Sequence, residues 1–160
     1  MCPIAALNIA ATVEYESHFN TTYKEGEAPD PSATIFTLKA LDSYMDAHVQ
    51  SLSISYKTTI PEGTDKSKLT SKDLGGFTER KADMYMMFLE TVRLCLKGWK
   101  NFKDTAGNDL EFKTIQENIK GRMYDVVAPE LMARIPQNIV QELYMQINML
   151  SVFSETDRKN

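Results

Sequence analysis

Residues 78–99 read TERKADMYMMFLETVRLCLKGW, and this stretch decides the predicted fold. Its apolar residues recur every three or four positions, which is the spacing of residues on one face of an α-helix. Gly98, close to the end of the stretch, is a typical helix stop. We therefore predict a long helix whose inward face carries Ala82, Tyr85, Met86, Leu89, Val92, Leu96 and Trp99.

Upstream of this helix lie the clearest strand signal and a shorter helix. Residues 34–38 (TIFTL) are rich in β-branched and aromatic residues that roughly alternate with others, as in a half-buried strand. Asp42 is a suitable N-cap for a helix that includes Val49 and Leu52 at helical spacing. Residues 54–60 (ISYKTTI) then favour a strand again.

Downstream of it we predict a turn and further helices. Residues 101–112 (NFKDTAGNDLEF) place turn-forming residues between apolar ones, which indicates a tight turn or small hairpin. The TIQE sequence at 114–117 matches a capping box and predicts a helix to about Val127. Pro129 and Pro136 suit the first turns of further helices. The last helix has an apolar stripe formed by Ile139, Val140, Leu143, Ile147 and Leu150.

Length and composition indicate one domain spanning residues 1–160. A chain of 160 residues that is 42% apolar can bury a sizeable core. Polar stretches at about 24–32 and 61–76 are interpreted as loops, the second as a mobile connector. Because helix signals dominate, we expect a mainly α fold with a small β element (α+β). It would be a helical domain with one or two short N-terminal strands and the turn or hairpin at 101–112.

The charge and hydropathy patterns argue against several partners. A net charge of -4 disfavours nucleic acid, because phosphate binding needs clustered Lys and Arg residues. No apolar run reaches the roughly 18 to 20 residues of a membrane-spanning helix, and the first residues lack the basic start of a secretory signal. We expect a cytosolic protein that contacts neither nucleic acid nor a membrane. Cys2 and Cys95 lie far apart in the sequence and are expected to be reduced thiols.

Residues able to perform catalysis are few. His18 and His48 are the only histidines, and a proline-containing loop separates them. A Cys-dependent enzyme, the least favoured alternative, would need Cys95 as nucleophile, although this residue is more typical of a small apolar side chain at a core edge. The acidic turn at 104–111 does not have the ligand pattern of a calcium-binding loop. We expect no enzyme activity, no cofactor and no metal site.

The nine methionines provide adaptable apolar side chains that suit either a core or a binding surface. Met84 and Met87 fall off the predicted inward face, so they are the better candidates for a surface. Trp99 and Phe102 could instead anchor the turn against the helices, because large aromatic residues usually pack. The candidate protein-binding residues are Met84, Met87, Trp99, Phe102, Tyr144 and Met145.

Two segments carry a family resemblance. In the first, a predicted helix ends in Gly98-Trp99 and is followed by Asn101-Phe102-Lys103-Asp104, a Gly107-Asn108 turn and a short apolar pair ending in Phe112. The predicted capped helix from Thr114 and a last helix that closes on residues 148–151 (NMLS) then complete the arrangement. This arrangement resembles tail assembly chaperones of tailed bacteriophages, in which a "GW.n..D.dG....F" segment precedes the terminal helices. The second segment, residues 34–41 (TIFTLKAL), looks like the "tvFtLraL" strand that opens many of these proteins.

The resemblance implies a function in virion morphogenesis. A protein of this family would bind an aggregation-prone, largely helical tape-measure protein, or a tail-tube protein, in the host cytoplasm and would hydrolyse nothing. It could also form a homo-oligomer. The alternative is a structural component of the virion, such as a head-to-tail connector or minor tail protein, held in a ring by its terminal segments. The polar stretches at 24–32 and 61–76 would suit contacts between its subunits.

Overall fold

The computed structural model describes residues 10–152, so the expectations for Cys2 and for the first residues of the chain fall outside the described range. The strands are β1 (Thr12–Glu16), β2 (Ile35–Lys39), β3 (Ile54–Thr58), β4 (Thr78–Ala82), β5 (Leu96–Lys100), β6 (Thr114–Ile119) and β7 (Arg122–Val127). The helices are α1 (Ser43–Ser53), α2 (Ser71–Gly76), α3 (Met84–Cys95), α4 (Pro129–Met132) and α5 (Gln137–Val152), with a 3₁₀ turn at Lys66–Lys68.

Within the described residues the strands form three antiparallel sheets. The largest has the strand order β1-β2-β5, and its register places Phe36 of β2 between Tyr15 and Trp99. The other two sheets are the β3-β4 and β6-β7 pairs. Because β2 lies in the middle of its sheet, Phe36 and Leu38 are almost fully buried.

Three helices and the inner sides of the sheets enclose one core. Helix α3 packs against both α1 and α5, and it also contacts β7. Asp42 caps α1, since its carboxylate accepts hydrogen bonds from the amides of Tyr44 and Met45, both at 2.9 Å. The largest fully buried side chains are Phe36, Leu38, Met45, Leu94, Leu96, Ile119, Leu143 and Ile147. The predicted strand at 34–38, the helix capped by Asp42 and the last helix correspond to β2, α1 and α5.

The predicted fold class is wrong. Residues 10–152 are 36% helix and 27% strand, and they contain seven strands rather than one or two short N-terminal strands. It is therefore a mixed fold of helices and antiparallel sheets, not a mainly α fold. Strand pairing causes the difference, because it overrides local helix preference both between distant segments, as in β2-β5, and between neighbouring segments, as in β6-β7.

The helix expected from Thr114 to Val127 is a β-hairpin. Strands β6 and β7 pair in continuous register from Thr114 opposite Val127 to Ile119 opposite Arg122. The two turn residues, Lys120 and Gly121, have φ angles of 52° and 83°. Positive φ at both central residues is the geometry of the tight hairpin turn that follows the twist of its strands.

The long helix expected over 78–99 is shorter at both ends. Residues 78–82 form β4, and residues 96–100 form β5, which pairs with β2. Asp83 begins the helix because its carboxylate accepts a hydrogen bond from the amide of Met86 at 2.9 Å. The apolar spacing that continued through Leu96 and Trp99 therefore belongs to a strand.

The turn at 101–112 is closed by a bridge between Lys103 and Asp109. Asp104 accepts hydrogen bonds from the amides of Ala106 and Asn108, both at 2.9 Å, and Gly107 has a φ angle of 85°. In residues 10–152 no helix has the length and apolar character needed to cross a membrane.

The stretch at 61–76 is not a structureless connector. It contains the 3₁₀ turn and α2, which has a capping box formed by Thr70 and Asp73. Strands β3 and β4 flank it and pair with each other. We call residues 54–82 the arm, since none of them is buried.

Candidate protein-binding surface

The first turn of α3 projects from the folded body and exposes three large apolar side chains. Met84 is 52% exposed, Tyr85 42% and Met86 38%. Leu52, near the end of α1, is also exposed. The amide of Asp83 donates to the carbonyl oxygen of Ser53 at 2.7 Å, so Leu52 and Met84 each lie one residue from this contact. We call Leu52, Met84, Tyr85 and Met86 the α3 surface.

One turn further along, the same helix enters the core. Met87 and Phe88 are half-buried and pack against the buried cluster. The rings of Phe88 and Tyr144 lie 4.4 Å apart, which joins α3 to α5. Of the predicted binding residues, Met84 is therefore exposed, whereas Met87 and Tyr144 contribute to helix packing.

Trp99 and Phe102 lie together in an aromatic cluster that anchors the 101–112 turn. The indole Nε1 of Trp99 donates to the carbonyl oxygen of Leu110 at 2.6 Å. The Trp99 ring lies 5.0 Å from that of Phe102 and 4.8 Å from that of Phe112, and Phe102 also contacts Phe36. Both residues are half-buried, and these contacts match the anchoring alternative rather than a free binding surface.

Met145 is exposed on α5, away from the α3 surface residues in sequence, and it lines a shallow groove of about 340 Å³. Phe19, in the loop after β1, lies on the other side of this groove. Glu142 forms part of the groove and has a side chain that is only 9% exposed. The groove is thus a second place where apolar side chains are open to solvent.

Glu142 fastens the loop after β1 to α5. Its carboxylate accepts hydrogen bonds from the Tyr15 hydroxyl at 2.8 Å, the Ser17 hydroxyl at 2.6 Å and the His18 amide at 2.7 Å. Burial and the neighbouring Glu142 carboxylate raise the pKa of Tyr15, so its hydroxyl stays protonated and donating. Ser17 donates to Glu142 rather than to His18, so the imidazole does not activate this hydroxyl.

A chain of hydrogen-bonded, ionisable side chains links α1, α3 and β6. His48 Nε2 lies 3.0 Å from Glu90 Oε1, and Arg93 holds Glu90 with two hydrogen bonds of 2.6 and 2.8 Å. Arg93 also donates to Glu117 at 2.7 Å. The hydrogen bond to Glu90 raises the pKa of Arg93, and the hydrogen bond from Arg93 lowers the pKa of Glu117. Each carboxylate therefore has a cationic partner, as burial of charge requires.

Sequence reasoning missed this ionic chain and the outward position of Tyr85 and Met86. The spacing of Glu90 and Arg93, three residues apart, is the one signal that could have indicated an ion pair. Tyr85 and Met86 were expected on the inward face but are exposed, and Met87, expected off that face, packs against the core, because burial in α3 begins only at Met87.

Cys95 lies in a position that does not suit a nucleophile. Its side chain is fully buried, and burial raises the pKa of its thiol to about 12. The thiol is therefore protonated at neutral pH and out of reach of a substrate. Within residues 10–152 no group of three or more His, Cys, Asp or Glu side chains is arranged to hold a metal ion.

No match to this chain is found among protein-family models, curated proteins or solved structures. The site is therefore described from this chain's own side chains. Among the described residues, Met84, Tyr85 and Met86 form the longest run of consecutive exposed large apolar residues, and Met84 is one of the residues predicted from sequence.

Proposed function

We propose that this chain is a non-enzymatic protein-binding factor that acts as a chaperone for a tape-measure protein in bacteriophage tail assembly. The observation that carries the proposal is the exposure of Met84, Tyr85 and Met86 in one helical turn, next to Leu52. Each of these exposed apolar side chains leaves apolar area in water, and contact with a partner would remove that area from water.

The chemistry of this surface favours a helical client. Methionine side chains are unbranched and polarisable, so they adapt to partner side chains of different shape. A helical segment with one apolar side can bury that side against such residues. Tyr85 adds a rigid aromatic contact of the kind that dominates binding energy at interfaces.

The resemblance at Thr34–Leu41 and Trp99–Phe112 supports the choice of client. Tail assembly chaperones bind the tape-measure protein, which is largely helical and prone to aggregate. A surface that holds exposed apolar stripes transiently suits this task. The buried thiol of Cys95 and the fully hydrogen-bonded Glu142 carboxylate support a binding function rather than a catalytic one.

Co-expression with the tape-measure protein encoded in the same genome tests the proposal. We expect the chain to raise the fraction of tape-measure protein in the supernatant after centrifugation. The double variant Met84→Glu, Met86→Glu should lose most of this effect, because two charges would face the client's apolar side. Met123→Glu is the control, since Met123 is more exposed than Met84 or Met86 and lies on the β6-β7 hairpin. Equal solubilisation by the double variant and the control would contradict the proposal.

A structural component of the virion is the second candidate, and the arm favours it. An element of 29 residues without a buried side chain is suited to contact a neighbouring subunit. Mass spectrometry of purified particles separates the two candidates. Stoichiometric presence of the chain would support the virion component, and its absence from particles would support the transient chaperone.

A further inference from the structure

The arm is attached to the body but packs against little of it. Every residue of 54–82 is exposed or half-buried, whereas α1 and α3, on either side of it in the sequence, each contribute fully buried residues. Its internal contacts are the β3-β4 pairing and local hydrogen bonds such as that between the hydroxyls of Thr58 and Thr78 at 2.8 Å. A two-stranded sheet without a covering layer is marginally stable in water.

Both outer edges of the arm offer unpaired backbone groups. In the described residues, β3 pairs only with β4, and β4 only with β3. Such edges add readily to the edge of another sheet, because the backbone amides and carbonyls then find partners. Tyr56 on β3 lies opposite Arg80 on β4, and at 69% exposure it is the most exposed of the large apolar side chains in the described part of the chain.

The arm and the remainder of the chain carry opposite charge. Residues 54–82 contain six of the 18 Lys and Arg residues and four of the 22 Asp and Glu residues. The rest of the chain contains 12 Lys and Arg residues and 18 Asp and Glu residues. The arm is thus net positive and the remainder net negative. The basic side chains of β4 are Arg80 and Lys81. The most suitable electrostatic partner of the arm is therefore another copy of this chain.

Strand β1 is the part of the body that fits β4. It forms an edge of the three-stranded sheet, it has five residues like β4, and it carries Glu14 and Glu16. Glu14 already forms an ion pair with Lys100. More than half of the Glu14 side chain and of the Lys100 side chain is exposed. Replacing Lys100 by another cation as the partner of Glu14 therefore costs little free energy.

We propose that the arm docks on a second copy of this chain, with β4 adding as an antiparallel strand to the outer edge of β1 and Arg80 facing Glu14. Each copy then offers one arm and one acceptor strand, so the contact either closes a pair of subunits or continues into a ring. This inference does not depend on the α3 surface or on the identity of a client. It would hold if the chaperone proposal failed.

Sedimentation equilibrium of the full chain from about 1 to 100 µM, a range that covers weak self-association, tests the inference. We expect the mean mass to rise above that of a monomer with concentration. Arg80→Glu and Glu14→Arg should each weaken association by about tenfold or more, because like charges then meet at the contact. Lys113→Glu changes the net charge by the same amount as Arg80→Glu, outside the arm, and should leave association unchanged.

An equimolar mixture of the Arg80→Glu and Glu14→Arg variants provides the decisive measurement. Each arm in the mixture can meet an acceptor of opposite charge on the other variant, so association should return to nearly the unmutated level. A wild-type chain that stays monomeric throughout, a mixture that fails to associate, or a Lys113→Glu effect as large as that of Arg80→Glu would each overturn the inference.

Discussion

The aromatic rings of Phe88 and Tyr144 lie 4.4 Å apart and join helix α3 to helix α5. This contact marks the point at which α3 becomes part of the core. Met87 packs beside it, while Met84, one turn earlier, is exposed. Two methionines that look alike in sequence therefore have different roles, and their substitution should have different effects.

Met87→Glu should destabilise the fold, whereas Met84→Glu should not. A carboxylate at position 87 would lose water against the apolar cluster, which typically costs about 1–3 kcal/mol, and each kcal/mol lowers the thermal midpoint by roughly 2–4 °C in a chain of this size. Met84→Glu places the charge in solvent near a helix N-terminus and should change stability by less than about 0.5 kcal/mol. Thermal unfolding followed by circular dichroism measures both, and equal midpoints would contradict this assignment.

Arg93→Ala should be strongly destabilising, because Glu90, which is only 6% exposed, would lose its guanidinium partner. Breaking a buried ion pair from one side costs about 3–5 kcal/mol. Urea unfolding at neutral pH gives the loss directly. Arg134→Ala, at an exposed position, is the matched control and should change the free energy of unfolding by less than about 0.5 kcal/mol. Similar values for the two variants would show that the ionic chain contributes little.

The contribution of Glu117 to stability should depend on pH. Its hydrogen bond with Arg93 lowers the folded-state pKa of Glu117 below the ordinary value. The stabilisation is therefore fully present above the unfolded-state pKa of about 4.3 and disappears as the pH falls through the lower, folded-state pKa. We expect wild type to be more stable than Glu117→Gln at pH 7 by an amount that shrinks below about pH 4. A difference that stays constant across this range, measured by urea unfolding, would contradict the assignment.

Cys95 should resist thiol reagents while the protein is folded. Its side chain is fully buried and its pKa is raised to about 12, so little thiolate is present and the reagent cannot reach it. In the Cys2→Ser background, Ellman's reagent at pH 8 should release colour only after urea is added. The Cys95→Ser variant reports the separate reaction of Cys2. Rapid reaction of the folded Cys2→Ser variant would restore Cys95 as a candidate nucleophile.

Local sequence signals were sufficient for β2, α1 and α5, and they also indicated strand β3 and the start of α4 at Pro129. In β2 the alternation of Phe36 and Leu38 reflects burial on one side of the sheet. In α1 the Asp42 side chain satisfies the first amides of the helix. In α5 the stripe from Ile139 to Ile147 is buried as expected. Each of these elements has a signal that depends on near neighbours in the sequence.

Strands β4 and β5 depend on partners further away along the chain, whereas β6 and β7 are sequence neighbours joined by a tight turn. Strand β4 (TERKA) has no apolar alternation at all, and its pairing with β3 defines it. Strand β5 continues the apolar spacing of α3 but pairs with β2. In the β6-β7 hairpin the capping-box match at Thr114 was misleading. The Lys120-Gly121 pair was the overlooked signal, because glycine readily adopts the positive φ of a tight turn.

The candidate surface was only partly predictable for a related reason. Periodicity shows which residues share a face of a helix, but it does not show how far the helix extends beyond the core. Met84 was therefore chosen for its phase, while Tyr85 and Met86 were assigned inward and are exposed. From sequence, Trp99 and Phe102 could have belonged to a binding surface or could have anchored the turn. The contact of Trp99 with Leu110 and that of Phe102 with Phe36 are those of an anchor.

Hydrogen–deuterium exchange of the chain with and without its tape-measure protein tests the central claim most directly. The account predicts slower exchange in the presence of the client at the amides of residues 84–88, together with those near Leu52, and no change in the β6-β7 hairpin around Met123. Unchanged exchange at residues 84–88 in a complex that demonstrably forms would contradict the claim that the α3 surface binds the client.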